Sequence, residues 1–214
     1  MDIETSVGSP QSVNTYPSFR KIPRWEKPLV VTEKIDGTNG LVGIYNLDEF
    51  IKTGLHPAGA SDTIIADKLL WDQDIWIVLA GSKNRWLTEK ADNHGFFRWV
   101  REKAPALLNL GPGLHYGEWW GQGIQRGYGL KEKRFSLFNV GRWNADNKPT
   151  CCHIVPVLGT TSPLSVHNYL NDLRGSGSLA APGFKNPEGI MLYHTGSKSY
   201  FKYPLDPEPK SGKQ

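Results

Sequence analysis

The chain has 214 residues and a formal net charge of +4, a length that supports one sizeable core and excludes two large domains. Its 8 Trp, 8 Tyr and 8 Phe against 2 Met favour strands and stacking surfaces over helical bundles. No apolar run approaches the ~20 residues that cross a bilayer, and Met1–Thr5 lacks the basic and apolar stretches of a secretion signal. The two cysteines, Cys151 and Cys152, are neighbours that could close a disulfide only as a strained ring, so a reducing, cytoplasmic setting is expected.

Residues 1–20 are polar and broken by Gly8, Pro10 and Pro17, and read as a flexible arm. Pro28–Thr32 predicts a strand, Gly37 a turn and Leu41–Tyr45 a second strand, so Leu29–Glu33 and Leu41–Tyr45 are expected to form a hairpin-like pair. A Gly- and Pro-broken loop follows near 54–59, then a strand at Asp74–Ala80. Asn93–Lys103 has helical spacing, with Phe96, Trp99 and Val100 on one face and Pro105 just past its end.

Gly113–Gly121 and Arg134–Val140 are short apolar segments that predict buried strands, each carrying a polar residue mid-strand. In the first, Trp119 and Trp120 must point to opposite faces, one into the core and the other free to line a cleft. Cys151-Cys152-His153 reads as buried strand, because no second cluster supplies zinc-ligand spacing. A helix is expected at Ser165–Leu173 and a flexible turn at Gly175-Ser176-Gly177-Ser178. Glu188–Tyr193 and Lys198–Tyr203 form a closing strand pair, and residues 205–214 are expected to be a disordered tail. The folded domain is therefore placed at 21–204.

Reactive groups concentrate in Glu33-Lys34-Ile35-Asp36-Gly37-Thr38-Asn39. A lysine amine attacks only when neutral, and its ordinary pKa of ~10.4 leaves very little of that form at pH 7. Flanking acids alone favour the ammonium, so their presence beside a nucleophile points to a divalent cation among them. Taken alone, Lys-Ile-Asp-Gly reads better as a surface turn closing a hairpin, and the rest of the chain must decide. Basic runs at Lys83-Asn84-Arg85 and Lys131-Glu132-Lys133-Arg134 suit a phosphate-bearing partner, or simply a solvated face.

Five stretches in order, Lys34–Asn39, Gly117–Gly121, Phe135–Val140, Glu188–Leu192 and Phe201-Lys202, resemble the motifs of the covalent nucleotidyltransferases, and within them the ATP-dependent RNA ligases. The resemblance covers roughly residues 30–204, and Asn39, where capping enzymes typically place arginine, favours the ligase branch. It implies an α+β adenylation domain of mainly antiparallel sheets with flanking helices. It also implies ATP and Mg2+ or Mn2+ as cofactors, and joining of RNA 5′-phosphate and 3′-hydroxyl ends through lysyl-AMP, an RNA-repair reaction. Sealing of DNA nicks, or a non-catalytic module that holds single-stranded RNA, are the alternatives.

Position by position, the resemblance implies that Lys34 carries AMP, Glu33 accepts a hydrogen bond at the adenine edge, and Asp36 orients the nucleophile or its metal. Asn39 belongs to the same nucleotide-binding motif. Glu118 accepts from the ribose hydroxyls, or pairs internally with an arginine, since a carboxylate between aromatics is costly without a partner. Phe138 stacks on adenine, Glu188 holds the cation, Lys202 contacts the α-phosphate, and Lys83 or Arg85 reaches phosphate or the RNA end. Two residues depart from the family pattern: Tyr200 stands where a lysine is usual, leaving Lys198 or another residue to supply that contact, and Asn139 stands where aspartate is usual. About a dozen residues follow Lys202, so an appended domain is not expected within this sequence.

Overall fold

The computed structural model describes residues 21–52, 65–71 and 73–206. The expected arm at 1–20, the loop near 54–59 and most of the expected tail lie outside them. In chain order come β1 (Leu29–Lys34), β2 (Thr38–Asn46), α1 (Leu47–Lys52), β3 (Ile65–Trp71), β4 (Asp74–Gly81) and α2 (Phe96–Leu107). They are followed by β5 (Gly113–Gly121), β6 (Lys133–Leu137), β7 (His153–Ile154), β8 (Val157–Thr161), α3 (Val166–Ser176), β9 (Gly189–His194) and β10 (Ser199–Pro204).

The strands form a four-stranded sheet, β10-β9-β1-β8, and a six-stranded sheet, β3-β4-β2-β5-β6-β7. Every pairing is antiparallel except the short β6–β7 match. This is the expected α+β architecture.

β1 and β2 do not form the expected hairpin. The chain leaves the small sheet at Lys34, turns through Ile35–Gly37 and enters the large sheet at Thr38, so the two strands have separate partners. Periodicity marks each as a strand but carries no information about pairing. A Cβ on residue 37 would lie 2.5 Å from the Trp119 carbonyl oxygen and 2.7 Å from Trp120 Cβ, so only glycine lets the crossover press against β5.

The larger core lies between the six-stranded sheet and α2, where Val42, Ile44, Val78 and Ala80 meet Phe96, Val100, Ala104 and Leu107. Trp119 joins it, its ring 5.3 Å from Phe96, and its indole N–H donates to the His94 carbonyl. Asp92 accepts from the Phe97 amide at 2.7 Å and so caps the first turn of α2 from outside the helix. Pro105 lies inside α2 rather than beyond it. It is exposed and close to the C-terminus, where the carbonyl that loses its partner can turn to water.

The smaller core packs Val166, Leu170 and Leu173 of α3 under Leu29, Val31, Ile190 and Leu192 of the four-stranded sheet. α3 runs through Gly175 and Ser176, shortening the expected turn, and stops at Gly177, whose φ of 89° suits a residue without Cβ. β6 ends at Leu137, before Phe138. Cys151 and Cys152 sit in the turn before β7 rather than in a strand, both as free thiols. The Leu205 N–H donates to the Glu188 carbonyl at 2.8 Å and its side chain packs on the α3 core, so the expected tail does not begin there.

Candidate active site

The two sheets face each other across a cleft of about 1010 Å³. Val30, Thr32 and Lys34 line one wall, joined by Met191, Tyr193, Tyr200 and Lys202 from β9 and β10. Leu114, Tyr116 and Glu118 of β5 line the other, with Asn39 beside them and the segment from Phe138 to Trp143 at its edge. Most of these follow the two-residue period of a strand, while Glu33, Ile35 and His115, out of that period, also border the cleft.

Lys34 ends β1 where the chain crosses between sheets. Its Nζ lies 2.5 Å from Glu188 Oε1, the residue just before β9 starts opposite Lys34. The other oxygen, Glu188 Oε2, is buried without a hydrogen-bond partner. Glu118 completes the acidic surround. Burial pushes its carboxyl up to about 7, an effect that the Lys34 charge opposes and that Glu188 and Asp36 reinforce. Among the described residues no salt bridge joins it to an arginine, so the internal arginine pair is not what accounts for it.

Position separates the expected site residues into those in the cleft and those bound elsewhere. Glu33 is one residue from Lys34, so it points to the opposite face of β1, where it is 1% exposed. There it accepts hydrogen bonds from Ser178 Oγ at 2.5 Å and from the Leu179 and Ala180 amides at 2.8 and 2.9 Å. Its carboxylate holds the loop after α3, and the residue also borders the cleft. Lys83 and Arg85 occupy the exposed turn after β4, outside the cleft lining. Arg85 donates to the Ala91 carbonyl at 2.7 Å. Lys198 sits at the tip of the β9–β10 turn, also outside the lining, while Tyr200 reaches the cleft and packs on Tyr193 with ring centroids 4.8 Å apart.

Phe138 is half-buried against Ile35, Trp120, Tyr128 and Val155, leaving part of its ring on the cleft wall. Trp120 is buried in the same cluster, its indole N–H bonded to Ser136, so both tryptophans are core and neither lines the cleft. Asn39 and Lys202 are exposed and line the cleft.

Sequence reading missed Arg126 and Tyr128. Arg126 Nε donates to Asp36 Oδ2 at 3.0 Å, and the Tyr128 hydroxyl accepts from the Asp36 amide at 2.8 Å. The signal was the glycine spacing of Gly121, Gly123, Gly127 and Gly129, all at positive φ, which marks a loop whose backbone is shaped for a purpose.

The donors present fit a hard divalent cation: oxygen ligands, and a buried Glu188 oxygen with no other partner. Among the described residues no cluster of three metal-ligating side chains forms, so such an ion would complete its shell with phosphate and water, as Mg2+ does.

The profile of the RNA ligase family matches residues 27–203. The chain belongs to the RNA ligase family. Solved structures of the Naegleria gruberi RNA ligase share the fold. A glutamate-to-alanine variant with ATP and Mn is 19% identical over 85% of this chain and 51% of that one, at a TM-score of 0.53. A lysine-to-alanine variant with ATP and Mn is 19% identical and the enzyme with PPi 20% identical, each covering 84% of this chain and 50% of that one at a TM-score of 0.53. This member of the RNA ligase family thus spans about half the length of those structures. A search of curated proteins gives no match.

Proposed function

We propose that the chain is an ATP-dependent RNA ligase that joins 5′-phosphate and 3′-hydroxyl RNA ends through lysyl-AMP on Lys34. The observation that carries this reading is the placement of Lys34 in the inter-sheet cleft, against Glu188 and near Glu118, in a chain of the RNA ligase family. The Naegleria structures with ATP and Mn support ATP and Mg2+ or Mn2+ as cofactors.

In the first step Lys34 Nζ forms a bond to the ATP α-phosphorus while the bond to pyrophosphate breaks, and pyrophosphate leaves. Glu188 Oε1, at 2.5 Å, is the nearest base to the amine proton. A divalent cation, when bound, offsets charge on the phosphate oxygens, and Glu188 Oε2 would hold it. Lys202 supplies further positive charge at the α-phosphate. Glu118 accepts from the ribose hydroxyls, Phe138 stacks on the adenine, and Asn39 borders the same pocket. An RNA 5′-phosphate oxygen then takes AMP from Lys34, and a 3′-hydroxyl displaces AMP from the activated end. The free thiols at Cys151 and Cys152 agree with a cytoplasmic setting.

Labelled RNA and DNA strands, as matched nicks and as free ends, test the reading when incubated with ATP and Mn2+. Joined RNA in wild type and none in Lys34→Ala is expected. RNA left unjoined by wild type, or joined equally by Lys34→Ala, would refute it, and preferential sealing of DNA nicks would reassign the substrate.

A further inference from the structure

Arg126 joins three segments that are far apart in sequence. Its Nε bonds Asp36 Oδ2 at 3.0 Å, and its Nη1 bonds the Asn186 and Pro187 carbonyl oxygens at 3.1 and 3.3 Å. Its Nη2 lies 3.7 Å from Asp206 Oδ2. Asp36 belongs to the turn that follows Lys34, and residues 186 and 187 lead directly into Glu188. One planar guanidinium therefore fixes the spacing between the segment carrying the amine and the segment carrying the acid it touches. An ammonium could not reach a carboxylate and two carbonyls with fixed directions.

The loop that presents Arg126 shows strain at its non-glycine residues. Gln125 and Tyr128 hold φ values of 45° and 53°, a region that side chains with Cβ occupy at a cost. Both of the loop's inward contacts, Arg126 on the Asp36 carboxylate and Tyr128 on the Asp36 amide, converge on the turn behind the nucleophile. Nothing in the ATP, ribose or metal roles assigned above uses Arg126.

We propose that Arg126 is the positioning residue for the attacking amine, clamping the Lys34–Gly37 turn to the start of β9, with Asp36 as its anchor rather than a metal ligand. This rests on the functional reading above. With Asp36 Oδ2 held by a guanidinium, Lys34 pairs with Glu188 Oε1, and Glu188 Oε2 is a buried carboxylate oxygen without a partner that a cation could take.

The test uses Arg126→Ala and Arg126→Lys in three measurements: the single-turnover rate of AMP-adduct formation, ATP affinity, and trace acetylation of Lys34 in the absence of nucleotide. For Arg126→Ala the adduct rate should fall ~100-fold, the scale of a displacement near 1 Å, while ATP affinity stays close to wild type. Added guanidinium ion should restore part of the rate, Arg126→Lys should not, and Lys34 should acetylate faster than in wild type. An unchanged adduct rate, unchanged acetylation, or parallel loss of rate and ATP affinity with no guanidinium rescue would overturn the proposal. Should Arg126→Ala fail to fold, Asp36→Asn decides: it should slow adduct formation at an unchanged Mn2+ requirement, and a raised requirement would return Asp36 to the metal. If wild type itself forms no adduct, the ligase reading falls, and acetylation of Lys34 still decides whether the clamp exists.

Discussion

Glu118, half-buried, and Glu33, buried, are two acids with different duties. Burial holds the Glu118 proton up to about 7, so between about 4.5 and about 7 the folded chain keeps a proton that the unfolded chain has released. Stability from this group is therefore fully present at the acid end of that window and declines as pH rises through it. Burial raises Glu33 with the same sign. Replacing Glu118 with Gln should flatten the decline in urea midpoint across that window, and a slope identical to wild type would contradict the assignment. Glu33→Ala leaves the Leu179 and Ala180 amides without their acceptor and should cost ~1–3 kcal/mol in urea unfolding. A neutral effect there would mean the loop finds other partners. Lys34, Glu118 and Glu188 were legible in the sequence because reactive residue types stood in a recognisable order. Glu33 was not, because its role follows from which face of β1 it occupies, and Arg126 was not, because its partners lie 60 and 90 residues away in sequence.

Strands and helices were mostly visible in their periodicity, whereas their partners and ends were set by contacts that periodicity does not contain. β1 and β2 were recognised individually, but the crossover between sheets depends on Gly37 fitting against the Trp119 carbonyl. α3 runs to Ser176 rather than ending at Leu173 because Gly177 closes the helix, its amide donating to the Leu173 carbonyl at 2.9 Å. Gly37→Ala puts a methyl group where the Trp119 carbonyl and Trp120 Cβ already stand. It should destabilise the fold by ~1–3 kcal/mol and reduce adduct formation more than a remote change of equal stability cost does. Normal stability and normal adduct formation in that variant would show that the crossover is not tightly packed.

Two sheets with separate cores meet at a cleft that takes the proposed nucleophile, Lys34, from one and the proposed ribose acceptor, Glu118, from the other. No local pattern in the sequence says which sheets will face each other. If this domain alone grips RNA through basic residues around the cleft, affinity should fall steeply with added salt, as counterion release requires. A complex insensitive to salt would contradict that mode of binding. The central claim, covalent chemistry at Lys34, is tested most directly by mass spectrometry of peptides from protein incubated with ATP and Mn2+. An AMP-sized, acid-labile adduct confined to the peptide containing Lys34 is the predicted result; an unmodified Lys34, or an adduct on another lysine, would contradict the account.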